Sequence, residues 1–113
     1  MAKIDLEFQE LSDALPAGSL IEEADDIKIS VKSVTGDSYS GLSSLGVIEF
    51  LYKIRTACGV AQETANATLP DGEKLDSFPP FSFSPPANGF SQVTQTQTVL
   101  IPLDPSTIQG TNI

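Results

Sequence analysis

Val47, Ile48, Leu51, Ile54, Cys58 and Ala61 recur at steps of three and four residues. Those steps gather them on one side of a 3.6-residue period. Phe50 and Ala57 widen the stripe. Glu49, Lys53 and Gln62 fall mostly on the other side, so the segment reads as a helix with one buried face. The pattern predicts one principal helix over residues about 44–62. Ser43 or Ser44 can accept a free backbone N–H of its first turn. Glu49 and Lys53 are four apart in the favourable order, which adds only about 0.2–0.5 kcal/mol. Gly59 weakens the helix by roughly 1 kcal/mol relative to alanine; it either ends the helix or admits a closely packed neighbour. Pro70 stops anything helical much beyond Ala67. Leu51 and Ile54 lie mid-stripe and are the expected centre of the core. A partner-binding helix is the other use of such a face.

The remaining chain alternates with a period of two. Ile4, Leu6 and Phe8 alternate with Lys3, Asp5 and Glu7, which predicts a short strand. A helix through Ile4, Phe8, Leu11 and Leu15 competes with it over residues 3–15. Pro16 to Ser19 is a turn. Ile27, Ile29 and Val31 alternate with Lys28, Ser30 and Lys32 as a clear strand, its lysines suited to a protected sheet edge. Thr35 to Ser38 ends it. Leu69-Pro70-Asp71-Gly72-Glu73 is a turn. Prolines flank Phe81 and Phe83, so that stretch is an edge strand or a polyproline-like run. Its phenylalanines cap the protein's own core or dock on a partner. Ala87-Asn88-Gly89 is another turn. A long strand follows from Phe90 to Leu103, polar on both faces in its first half and apolar in its second. Asp104 to Thr107 resembles a single capped helical turn, and Gln109 to Ile113 a loose tail. These elements predict an α+β fold: one principal amphipathic helix packed on a mostly antiparallel sheet of about four strands, in a single domain over residues 1–113.

Charge narrows the partners. Fifteen acidic side chains against 6 basic ones give a net −9. That excess repels phosphate backbones and anionic bilayers, so no nucleic acid and no membrane is expected as a partner. No apolar run follows a basic start, and no stretch reaches the roughly 18 apolar residues of a membrane span. A cytoplasmic setting follows as the expectation. Without a secretory signal, the Asn66-Ala67-Thr68 sequon carries no weight. The single cysteine, Cys58, cannot form an internal disulfide. It sits on the apolar stripe as a small hydrophobe, with Arg55 on a different side of the helix.

The chain has no histidine, so the usual base, metal ligand and triad member is missing. Glu22, Glu23, Asp25 and Asp26 lack the alternating ligands and turn glycine of a calcium loop and are expected to be a solvated acidic edge. Asp71 and Glu73 flank a glycine, but two carboxylates make no metal site. Gly41 and Gly46 are not followed by the lysine of a phosphate loop. No enzyme activity, no metal and no cofactor is therefore expected.

What remains is a structural or interaction protein that self-associates, as a component of a larger assembly. The polar strand supplies the expected interface, Gln95, Thr96 and Gln97, to a homo-oligomer or to another protein, because strand addition works through main-chain hydrogen bonds. The alternative is a small-molecule binding or regulatory module. Its apolar pocket would lie between helix and sheet, lined by Phe50, Tyr52, Phe81 and Phe83.

Overall fold

The computed structural model describes residues 5–98. The chain divides into two compact units, Met1–Pro80 and Phe81–Ile113. The described residues hold one long helix and two small antiparallel ladders.

The first unit opens on helix α1, Phe8–Ala14. The two competing periods resolve toward the helix. Glu7 donates its backbone N–H to the Glu10 carboxylate at 2.7 Å, one half of a capping box. Gln9 donates to Asp13 at 2.8 Å across one turn. The expected strand is therefore corrected: Leu6 is irregular and Phe8 is helical. A helix also brings Leu11 and Leu15 to the core, which the strand period did not account for. Pro16 follows the end of α1, and Gly18 adopts φ +85 in the turn. Ser19 is buried, and its N–H and hydroxyl both donate to the Pro16 carbonyl, at 3.1 and 2.7 Å.

Strands β1 (Leu20–Glu23) and β2 (Asp26–Ile29) form a hairpin in which Leu20 faces Ile29 and Glu22 faces Ile27. Side chains alternate across a ladder. Leu20, Glu22, Ile27 and Ile29 thus share one face, and Ile21, Glu23, Asp26 and Lys28 the other. Strand β2 stops at Ile29, three residues short of the Lys32 that ends the alternating pattern. Ser30 turns the chain into helix α2, Val31–Thr35, and its hydroxyl accepts the Ser33 N–H at 3.2 Å. Gly36 closes α2 in the left-handed region, at φ +82.

Helix α3 spans Val47–Asn66. Its start is set by Gly46, at φ +150, rather than by a serine cap. A Cβ at Gly46 would meet the Tyr39 ring at 2.9 Å. Ser44 is used elsewhere, accepting the Ser40 N–H at 3.0 Å. The helix runs through Gly59, because a single glycine costs less than the ladder on either side returns. Beyond α3 the chain returns along it. Gln62 exchanges two hydrogen bonds with the backbone of Phe78, at 3.0 and 3.1 Å. Asn66 does the same with Leu75, at 2.8 and 2.9 Å. Two amide side chains one turn apart thus do for this segment what a strand partner would do. The expected turn lies between them and α3, with Glu73 N–H on the Pro70 carbonyl at 3.1 Å and Gly72 at φ +91. Lys74 reaches back to the carbonyls of Asn66 and Leu69, at 2.8 and 3.0 Å, a cation at the negative end of a helix.

Leu15, Val34 and Ala57 are the buried core, with Phe50 and Ile54 packed at its edge. The neighbours of α3 are α1 and α2, and its buried residues are Ala57 and Ala61. This corrects the expected centre of the core. Leu51 is 49% exposed, and Ile54 is half-buried at the margin. Length is the reason. At 1.5 Å per residue α3 is about 30 Å long, whereas α1 and α2 are about 10 and 8 Å. The short helices cannot cover the whole apolar face.

In the second unit, β3 (Ser82–Phe83) pairs with β4 (Val93–Thr94), Ser82 opposite Thr94. The turn expected at Asn88-Gly89 is present. Both residues have positive φ, +55 and +81, as a type I′ turn requires, and Ala87 bridges Phe90. The Ser84 hydroxyl accepts the Gln92 N–H, and the Ser91 hydroxyl donates to the Ser84 carbonyl, each at 2.6 Å. Pro85 and Pro86 have no N–H to continue the ladder. β4 ends at Thr94 and Gln95–Thr98 are irregular, so the long strand does not run unbroken; Val99–Leu103 and the last ten residues lie outside the described residues. Among the described residues the strands form two ladders of two, and one sheet of about four is not seen there.

Ala57→Leu should overpack the contact of α3 with α1 and α2 and cost about 1–3 kcal/mol in urea denaturation. Leu51→Ala should cost about 1 kcal/mol or less, since half its surface is already in water. A larger loss at Leu51 than at Ala57 would refute this placement of the core.

Candidate functional site

An apolar groove of about 730 Å³ runs between α1, the first hairpin and α3. Phe8 and Leu11 come from α1, and Phe50, Leu51 and Ile54 from α3. The hairpin turns its Leu20, Ile27 and Ile29 face into the groove. Alternation in the ladder is what sends these three residues to one side. It sends Glu22 there too, directly across from Ile27. Asp25 and Asp26 line the groove at the hairpin tip. Among the described residues its lining holds three carboxylates and no basic side chain. Asp26 pairs with Lys28 at 3.4 Å, but Glu22 and Asp25 have no ion pair among the described residues.

A groove between helix and ladder fits part of the expected pocket. Phe50 lines it, whereas Tyr52 does not. Phe81 and Phe83 belong to the second unit, where their rings stand 6.4 Å apart at 48°. The groove is an open trough with half of Leu51 in water. Small-molecule sites instead enclose most of their ligand.

A second apolar surface lies at the start of α3. Leu45 is 93% and Ile48 87% exposed, and Leu42 and Val47 are also exposed. Leu51 follows Ile48 at i+3 and Val47 at i+4, which makes them neighbours on the helix surface. The two apolar surfaces therefore meet at Leu51. Leu42 and Leu45 precede the helix in a Gly/Ser-rich loop. Their apolar character outside the helical stripe is the signal that points to this surface.

The residues named as an interface follow β4. Gln95 and Gln97 are half-buried, and Thr96 is exposed. Among the acidic residues, Glu22, Glu23 and Asp26 lie in the hairpin strands and Asp25 in its turn. Among the described residues no three His, Cys, Asp or Glu side chains gather as a metal site. No described helix is long and apolar enough to cross a membrane.

Cys58 is half-buried. Burial pushes its thiol above the ordinary cysteine range. The Arg55 guanidinium pulls the other way, and Asp5 adds to the rise. Arg55 thus acts on the thiol even though the helical wheel sets it on another side, but burial outweighs it. The protonated thiol is a poor nucleophile. Cys58 should label with a maleimide more slowly in the native protein than in urea at the same neutral pH. Equal rates would contradict the shielding. Compared with known proteins, the chain matches no family model, no curated protein and no solved structure.

Proposed function

We propose that this is a non-enzymatic interaction protein that self-associates, as a component of a larger assembly in the cytoplasm. The observation that carries the proposal is the apolar start of α3. Monomeric soluble proteins rarely leave contiguous apolar patches of more than a few hundred Å² in water. Leu45, Val47, Ile48 and Leu51 are all exposed on one short stretch. Its apolar stripe suits a second copy: Glu49 and Lys53 fall mostly on the other side of the helix, so two such stripes can meet without burying a charge. An isologous contact of this kind is the commonest route to a dimer.

Gln95, Thr96 and Gln97 form the second contact of this proposal. β4, which leads into them, has β3 as its one neighbour among the described residues. Its other edge keeps main-chain groups for strand addition. Their polar side chains do not oppose this, because the bonds are made by the backbone. The alternative, a small-molecule module, rests on the groove, whose open form suits a chain segment better than an enclosed ligand.

Sedimentation velocity tests the proposal. The wild type should form a dimer or larger species at micromolar concentration. Leu45→Ser with Ile48→Ser should shift it to monomer while changing stability by no more than about 0.5 kcal/mol, as exposed positions do. Thr96→Pro removes one backbone donor and should weaken association more than folding. A wild type that stays monomeric at high micromolar concentration would end the proposal.

A further inference from the structure

We propose that the groove between α1, the β1–β2 hairpin and α3 docks a basic amphipathic segment of another protein, with leucine-like side chains on one face and lysine or arginine beside them. This goes beyond self-association, because the two surfaces differ in charge. The apolar stripe at the start of α3 is uncharged, with Glu49 and Lys53 mostly on the other side of the helix. Among the described residues the charges lining the groove are all acidic: Glu22 and Asp25, and at the hairpin tip Asp26, which is paired with Lys28. The one lysine of the hairpin, Lys28, is on the opposite face and is paired with Asp26.

The floor is apolar. Ile27 and Ile29 of the hairpin and Leu51 of α3 are 39%, 43% and 49% exposed while lining the groove. Covering them removes apolar surface from water and drives docking. The carboxylates then decide the occupant. A second copy meeting the groove with its own groove would set Glu22 and Asp25 against the same residues, and each chain already carries −9. Like charges so placed are repulsive and select against that partner. An apolar segment without cations would desolvate Glu22, directly across from Ile27, with nothing to compensate it. A segment with a cation beside its apolar face satisfies both requirements. An amphipathic helix laid in an apolar groove is an established way of meeting them, its anchors one turn apart. The hairpin tip then meets the cations, and the paired faces of α1 and α3 hold the apolar side chains.

The test uses the full chain and a fluorescein-labelled model peptide of leucine and lysine in helical spacing, read by fluorescence anisotropy. Its counterpart has every lysine replaced by glutamate. The lysine peptide should bind and the glutamate peptide should not. Glu22→Lys with Asp25→Lys should weaken binding by about tenfold or more. Glu63→Lys with Glu73→Lys makes the same change in net charge away from the groove and should leave the affinity within about twofold. Glu22→Gln with Asp25→Asn should weaken binding in the same direction by less, and it decides the matter if the lysine variant fails to fold by circular dichroism. Equal losses in the two lysine variants would reduce the effect to overall charge and overturn the proposal. Binding of both peptides alike, or of neither, would overturn it too. So would binding that falls as the protein is concentrated, which would give the groove to a second copy. Sedimentation of the Glu22→Lys/Asp25→Lys variant keeps the two proposals apart: it should retain the wild-type mass.

Discussion

Helix α3 meets α1 and α2 through alanine. Ala57 and Ala61 are 5% and 2% exposed, and small side chains let helix backbones approach closely. Val34 from α2 and Leu15 at the end of α1 fill the space beside Ala57. Leu11, Ala14, Leu20, Phe50 and Ile54 pack against the same cluster, so the first unit is built around this contact. Ser19 ties the end of α1 into the hairpin, with its N–H on the Pro16 carbonyl and its own carbonyl accepting the Ser30 N–H at 2.8 Å. Ser30 in turn caps α2. The chain from α1 to α2 is thus threaded through two serines, and the alanine contact holds both of its ends on α3.

The same contact leaves the large apolar residues of α3 unused. A helix about 30 Å long against neighbours of about 10 and 8 Å must leave much of its face bare. The C-terminal half has help from Gln62 and Asn66, whose amides bind the returning chain. Among the described residues the N-terminal half has no such partner segment, and there Leu45 and Ile48 are exposed. The hairpin adds an apolar face of its own beside Leu51. Two surfaces result from one shortage of cover. Their surroundings, an uncharged stripe on the helix and acids along the groove, separate a second copy from a different partner.

The sequence makes α3 legible because its apolar period is long and Pro70 limits it. Both glycine turns, at Gly72 and at Asn88-Gly89, are legible because positive φ restricts which residues can serve. The core centre is not. Periodicity shows which residues share a face, but the coverage of that face depends on the lengths of α1 and α2, which lie elsewhere in the chain. Helix α2 is hidden because Ile27, Ile29 and Val31 continue a strand period up to the residue where Ser30 caps a turn. α1 is ambiguous because Phe8 fits both periods, and the Glu7–Glu10 interaction decides it. The groove is foreshadowed by Phe50 alone, since its hairpin face exists only once Leu20 is set opposite Ile29. Glu22 belongs to the groove through that register, which the acidic run on its own does not disclose.

Side-chain solvent access on α3 is the most direct measure of whether its bare face is a contact surface. Hydroxyl-radical footprinting across a range of protein concentration reads it residue by residue. Ile48 should be oxidised readily in dilute protein and become protected as concentration rises, with Leu45 following it, while Val34 stays protected throughout. Protection of Ile48 as complete as that of Val34 at the lowest concentration would contradict the account, as would full exposure of Ile48 at the highest.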